Sequence, residues 1–445
     1  MNKFCKVFSV CLVVSLFIAA LWHATGVLEA KDECGKNKQL VSGDDQYDVF
    51  LLGSSHTGNL QPIELWQQGG ITSYNIYNSG AGMSRYLATL ELALDYKKPK
   101  LVVIDTDQWW AESTFEEEPG DYHRTFDIFP LSLHKIQVVR KYVPDTGAQF
   151  ELLFDLFRYH SRYHELEAVD FADTDDSCLG AHLHFASIPQ DPPSFEAEAP
   201  EPDPELEEET QTLRQVIELC RSKDIDVMLM CLPFCASESA LSKQQYIYNL
   251  AEEYDITFCN FFDRENVLNW KTDFKDGGHL NLSGARKLTP ILIDEIRKNY
   301  GIEDHRSDPA VADRWNAKVV AYYSFMDSFV GTSEGMDLKE MLIMMSLPHY
   351  CGEVFLKNAE TGFLNRRGAI DLLQNITYCE LPGAKEAALK GENYLLVYNR
   401  LAGVVQEYHG NELKDMLDDD MEDALVTLRD AGTMEVAVEY RENPQ

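Results

Sequence analysis

The chain has 445 residues and sets 39 Lys and Arg against 74 Asp and Glu, a formal charge of −35. So acidic a chain has no electrostatic means of gripping a phosphate backbone, which excludes nucleic-acid recognition. The charge does not signify disorder, because 45% of residues are hydrophobic and 11% aromatic, enough for a substantial core.

The N-terminus carries Lys3 and Lys6, then an apolar run from Val7 to Trp22, then small residues up to Ala30. That order is the grammar of a secretion signal, and the run approaches the length of a short membrane span. Two outcomes stand open for residues 1–30: cleavage near Ala30, or retention as an N-terminal anchor. Leu28, three positions before that cleavage point, suits a peptidase less well than Ala, and lysines before the run fit an N-in, C-out anchor. Either outcome puts the rest of the chain outside the cytoplasm, touching the membrane through this segment alone. Eight of the ten cysteines follow, from Cys34 to Cys379, without the dense spacing of a disulfide scaffold. Cys220, Cys231 and Cys259 lie in apolar elements and read as buried hydrophobes. A Cys351–Cys379 disulfide is left open. Cys231 and Cys235 have no second pair to complete a zinc set, so no metal is expected.

After a polar stalk to about residue 46 the chain alternates short apolar runs with helical patterns. Strands are expected at 47–52, 73–77, 101–104, 226–232 and 256–260, and helices at 83–96, 212–222, 241–254 and 283–299, the last capped by Ser283 or a neighbour. Buried strands alternating with helices predict an α/β fold, a three-layer α/β/α arrangement around a parallel sheet, over residues 31–302. Two segments interrupt it. Residues 126–171, rich in aromatics, His and Arg, read as a helical insertion. Residues 189–209 hold six prolines and nine acids with no Lys or Arg and read as a solvated loop. His305 to Pro309 reads as a linker. Residues 310–445 then read as a smaller α+β domain, with a helix at 338–347, strands at 353–357 and 434–440, and a hairpin of 394–398 with 404–408.

The chemistry concentrates at the two ends of the first domain. Gly53-Ser54-Ser55-His56 puts a serine on the turn after the first strand, where open α/β sheets expose reactive groups. Asp276-Gly277-Gly278-His279 precedes the last helix, and an acid three residues before a histidine can orient its imidazole toward a serine. Each pattern is common alone; a serine at the first strand and DxxH at the last helix reinforce one another.

With Tyr77-Asn78-Ser79-Gly80-Ala81-Gly82 and the continuation Leu280-Asn281-Leu282-Ser283-Gly284-Ala285, residues 46–300 resemble the SGNH/GDSL hydrolase superfamily, and more closely its extracytoplasmic acyl-transfer branch. That branch includes the D-alanyl-lipoteichoic acid biosynthesis protein and bacterial cell-surface O-acetylation proteins. The resemblance implies Ser55 as nucleophile, His279 as general base and Asp276 as its orienting acid, with no cofactor. It implies an oxyanion hole from the Ser55 amide and a glycine of the Asn78–Gly82 turn, Gly80 before Gly82. The family's Gly-x-Asn-Asp segment is replaced by Ile104-Asp105-Thr106-Asp107-Gln108-Trp109-Trp110, where Gln108 or Asn78 stands in for the missing Asn donor and Asp107 donates only if protonated.

Further candidates are weighed against plainer roles. His56 lines the pocket or simply satisfies a hydrogen bond. Trp109 and Trp110 stack on a sugar or cap a strand end. Arg162 meets an anionic substrate or sits with His160 and His164 on a solvated helix face. His182 and His184 share one face of a strand without an acid to complete a metal site, and Arg286 and Lys287 read as the solvent face of the last helix. The expected activity is that of an extracytoplasmic serine esterase or O-acyltransferase acting on an acylated cell-surface or exported polysaccharide. A membrane-embedded acyl-donor partner is implied by the resemblance alone. The alternative is a catalytically inactive SGNH-like binding or scaffold module of the cell envelope.

Overall fold

The computed structural model describes residues 3–28, 38–107, 109–110, 119–171, 176–193, 204–264, 266–332, 336–358, 364–413 and 423–442. The middle of the acidic proline-rich loop, Gln108 and the Asp418–Asp420 run lie outside these residues. The loop is shorter than its composition implies, because from Pro204 its acids already form the first turns of a helix that runs to Ser222.

Five parallel strands, β1 (Val49–Leu52), β2 (Ser73–Asn75), β3 (Leu101–Asp105), β4 (Asp226–Cys231) and β5 (Thr257–Asn260), form one sheet in the order β2-β1-β3-β4-β5. The chain is therefore of the α/β class over this region. Strand alternation sends Phe50, Leu52, Val102, Ile104, Val227 and Leu229 into one apolar layer and Val49, Leu51, Leu101, Val103, Met228 and Met230 into the other. Both faces are covered, which is why these strands read as continuous hydrophobic runs rather than alternating ones. The helices Met83–Ala93 and Pro204–Ser222 feed the first layer, and Leu282–Tyr300 feeds the second with Leu288, Leu292 and Ile296.

The last helix is capped by Asn281, whose side chain accepts from the Gly284 amide at 3.1 Å, so the cap lies two residues before Ser283. Residues 126–171 are helical as expected, with Leu133–Tyr142, Thr146–Leu153 and Asp155–Tyr159 followed by a 3₁₀ turn, His160–His164. The N-terminal helix Lys3–Leu28 leans on that insertion through its last carbonyl, which accepts from Arg162 Nη1 at 2.5 Å. Phe8, Val13 and Phe17 of this helix are exposed. Among the described residues no helix is long and apolar enough to cross a membrane.

The second sheet is antiparallel, in the order β10-β9-β6-β7-β8, from β6 (Tyr350–Leu356), β7 (Tyr394–Asn399), β8 (Val404–His409), β9 (Ala424–Asp430) and β10 (Val436–Glu442). The predicted hairpin is β7–β8. The supposed linker before it is a 3₁₀ turn, His305–Ser307, followed by a long helix, Pro309–Thr332. Trp315 of that helix stacks on Trp66 with ring centroids 5.3 Å apart. Val354, Leu396 and Val426 of the second sheet belong to the same apolar cluster as Phe50 and Ile104 of the first. Cys351 and Cys379 are both free thiols, so the disulfide left open for that pair is absent. Cys220, Cys231 and Cys259 are buried in the core.

Candidate active site

The site begins where β1 stops. Gly53 is required there because a Cβ would fall 1.8 Å from Thr57 Oγ1 and 2.8 Å from Asp105 Cβ. With no side chain at 53, the chain turns tightly and leaves Ser55 partly exposed between buried Ser54 and buried His56. The second component is a narrow loop pinned at its base by the Lys275 amide to the His279 carbonyl (2.9 Å) and the Asn281 amide to the Asp273 carbonyl (3.0 Å). Its outer edge is held by the Cys235 amide, which donates to the Gly277 carbonyl at 2.7 Å.

These two loops, 224 residues apart in sequence, bring Ser55 Oγ to 2.8 Å from His279 Nε2. On the other side of the ring His279 Nδ1 lies 2.8 Å from Asp276 Oδ1. The same carboxylate oxygen accepts from the Gly278 amide (2.8 Å) and the His279 amide (2.9 Å). Partial burial works to raise the Asp276 pKa, but these donors and the imidazole outweigh it and hold the carboxyl below its usual value. An acceptor on Nδ1 fixes a tautomer whose Nε2 lone pair faces the serine hydroxyl.

Around this line the structure gathers more imidazole than its sequence position implied. The His56 ring meets His279 edge-on at 5.1 Å, and His184 meets it at 5.8 Å from another side. Burial pushes the His184 pKa down to about 3, helped by the positive charge of Lys275. His56 is lowered as well, again by burial, against the opposing pull of Asp107. Both rings are therefore neutral at neutral pH. The sequence pattern of His182 and His184 lacks an acid; what it does not show is that segment 181–193 runs beside the Asp276–His279 loop, with the Leu282 amide on the His184 carbonyl at 2.8 Å. Among the described residues no group of three His, Cys, Asp or Glu is arranged to hold a metal ion.

Asp107, just past β3, is fully buried. Its Oδ2 accepts from Ser54 Oγ at 3.0 Å and stands 3.2 Å from His56 Nδ1. Asp105 beside it takes Thr57 Oγ1 at 2.9 Å, and burial, with Asp107 adding to it, drives the Asp105 pKa well up.

The Asn78–Gly82 turn is tied to the serine turn by the Asn78 amide, which donates to the Gly53 carbonyl at 2.9 Å. The Asn78 side chain is committed elsewhere: its Nδ2 donates to Thr125 Oγ1 (2.8 Å) and its Oδ1 accepts from Arg85 Nη2 (2.7 Å). Arg85, which the sequence did not single out, also donates to the Gly80 carbonyl at 3.1 Å and so braces the turn from below. Gly80 is exposed with φ +64°, while Gly82 is buried and caps the Met83–Ala93 helix.

Other candidates sit away from the serine. Trp109 is fully buried against Tyr246 and offers no free face, whereas Trp110 is half-buried with the Lys243 ammonium 5.1 Å from its ring centre. Arg162 is used in the insertion, binding the Leu28 carbonyl and Asp170 (3.0 Å). Arg286 and Lys287 are not on a solvent face. Arg286 Nε pairs with buried Glu64 at 2.9 Å, and Lys287 Nζ with fully buried Asp273 at 2.7 Å.

No protein-family model matches the chain, and no curated protein matches it. Among solved structures it is similar to a Bacteroides fragilis protein described as a "putative acylhydrolase", at 12% identity and a TM-score of 0.31, over 61% of this chain and 97% of that one.

Proposed function

We propose that this chain is a serine-dependent esterase or O-acyltransferase of the SGNH type, working outside the cytoplasm on acyl esters of a polysaccharide. The observation that carries this reading is the unbroken line from Ser55 Oγ through His279 to Asp276, with both contacts at 2.8 Å. Ser55 Oγ attacks the acyl carbonyl while His279 Nε2 takes its proton. The tetrahedral oxyanion is met by the Ser55 amide and by an amide of the neighbouring turn, Gly80 before Gly82. Collapse expels the alcohol, which leaves with the proton returned by His279, and an acyl-Ser55 ester remains. Water or a sugar hydroxyl then gives its proton to His279 and attacks that ester; His279 returns the proton to Ser55 Oγ as it leaves, yielding an acid or a new ester. Asp276 keeps the imidazole in the required tautomer and stabilises it while protonated. The N-terminal helix is proposed to direct or hold the body outside the cell, and a transferase would there draw acyl groups from a membrane-embedded partner. The acidic surface disfavours polyanionic glycans and favours a neutral one.

The test is covalent labelling of the full chain with a fluorophosphonate probe. Wild type should label, and Ser55→Ala should not. Absence of wild-type labelling, or labelling that survives Ser55→Ala, favours the other reading, a scaffold that keeps the triad without using it. The observation behind that rival is the segment 104–110, which lacks the family's Asn donor and whose Asp107 is taken up by the Ser54 hydroxyl.

A further inference from the structure

The backbone that carries His182 and His184 is pinned at both residues. The His182 amide donates to the Gly58 carbonyl at 2.8 Å, and the His182 carbonyl accepts from Gln61 Nε2. The His184 carbonyl accepts from the Leu282 amide at 2.8 Å, where the last helix of the parallel-sheet region begins. The two imidazoles lie side by side, with centroids 5.9 Å apart and planes 31° apart. They continue a row of rings. Tyr77, the residue before the Asn78–Gly82 turn, meets His182 edge-on at 5.1 Å, and His184 meets His279 at 5.8 Å. The row therefore runs from the turn proposed to hold the oxyanion to the proposed base.

Two observations mark this row as a wall that meets substrate rather than core. His182 is exposed and His184 half-buried, whereas Tyr77 at the far end is buried. Among the described residues, no hydrogen-bond partner reaches either ring nitrogen of His184, and neither nitrogen is sealed from solvent. Its hydrogen-bonding capacity is thus unused beside His279. Burial holds the ring neutral, with a pKa of about 3, so it offers one donor, one acceptor and no charge.

The order of proton transfers decides which half of an ester meets this wall. His279 Nε2 protonates the departing alcohol and deprotonates the incoming one, so the alcohol oxygen passes within hydrogen-bond reach of that nitrogen. The acyl oxygen turns instead to the amides of Ser55 and the neighbouring turn. A ring on the flank of His279 therefore borders the alcohol half. An aliphatic acyl chain there would strip water from His184 and return nothing to its nitrogens. A sugar hydroxyl both donates and accepts, and it matches a neutral imidazole without a counter-ion. We propose that His184, with His182 beside it, is the specificity-determining residue for the alcohol half of the ester, an uncharged, hydroxyl-rich sugar ring. The proposal rests on the serine mechanism above and assigns the place of the sugar within it.

The experiment gives full-length protein p-nitrophenyl acetate as acetyl donor and maltohexaose, cellohexaose or chitohexaose as acceptor. Chromatography with mass spectrometry measures acetylated sugar against acetic acid, a ratio set after acyl-Ser55 has formed. Wild type should acetylate at least one of the three sugars. His184→Phe keeps a ring against His279 but loses both nitrogens, and should lower the ratio about tenfold, the worth of a hydrogen bond. His184→Asn keeps a donor and an acceptor but not the ring, and should retain most of the ratio. A packing role for His184 gives the opposite order. That opposite order, a ratio equal in all three proteins, or a wild type that labels with fluorophosphonate yet acetylates none of the sugars, overturns the proposal. Absence of wild-type labelling is a different result: it defeats the serine mechanism, and the proposal falls with it.

Discussion

Ser54 Oγ donates to Asp107 Oδ2 at 3.0 Å, so the residue before the proposed nucleophile is held by a fully buried carboxylate just past β3. The same oxygen stands 3.2 Å from His56 Nδ1, which places one buried carboxylate beside both neighbours of Ser55. The serine turn is thereby fixed from beneath while Ser55 itself stays free for His279.

Asp107→Ala should therefore destabilise the chain and lower activity together. It strands the buried Ser54 hydroxyl, at about 1–3 kcal/mol for an unsatisfied group. Asp107→Asn keeps an acceptor for Ser54 and should recover much of that loss. Thermal unfolding and p-nitrophenyl acetate hydrolysis of the two variants decide it; equal damage from both would show that charge, not the hydrogen bond, is what matters.

Asp276→Asn should lower kcat on the same ester by roughly 10- to 10⁴-fold, since an amide at 276 no longer enforces the Nδ1–H tautomer. The lower part of that range is allowed because the Asp276 side chain is 41% exposed and water can partly replace it. KM should change little. An unchanged kcat would remove Asp276 from the proposed role.

Stability should fall as pH drops below about 6.5, the usual histidine value. His184, at about 3, and His56, also lowered, stay neutral in the folded chain while the unfolded chain takes up protons there. The unfolded state thus binds more protons between those limits, so unfolding becomes easier as pH falls, by up to about 1.4 kcal/mol per pH unit for each group. The His184 contribution is complete near pH 3. Urea midpoints between pH 4 and 7 for wild type and His184→Asn measure it; the variant should show the shallower slope, and parallel curves would contradict the assignment.

Much of this was legible in the sequence for a local reason. Val49–Leu52 and residues 101–104 are apolar on both faces, which only a sheet covered twice requires, and the GSSH and DxxH patterns each sit at an element boundary. What was not legible depends on partners far away in sequence. Arg286 and Lys287 look like solvated charges on an amphipathic helix until Glu64, Asp273 and Asn375 are placed against them. His184 looked idle because its neighbour is His279, 95 residues on. Asn281 rather than Ser283 caps the last helix because the loop's pairing of Asn281 with Asp273 stops the chain there. Arg85 gave no pattern at all; only the folded turn shows why a cation is needed beneath it.

The Lys287–Asp273 pair offers the sharpest energetic test of how the helix Leu282–Tyr300 supports the loop that carries Asp276 and His279. Asp273 is fully buried and its two oxygens receive the Asn269 amide at 2.7 Å, Lys287 Nζ and Asn375 Nδ2. Lys287→Met removes the only cation among these donors and leaves a buried carboxylate uncompensated, at about 3–5 kcal/mol. Because Asp273 also accepts the Asn281 amide at its carbonyl, the loop carrying Asp276 and His279 should loosen, and labelling of Ser55 should slow. Adding Asp273→Asn removes the stranded charge, so the double variant should be more stable than Lys287→Met alone. Chemical denaturation of the three proteins supplies the cycle; a double variant no better than the single would mean the lysine acts through packing against Tyr378 rather than through its charge.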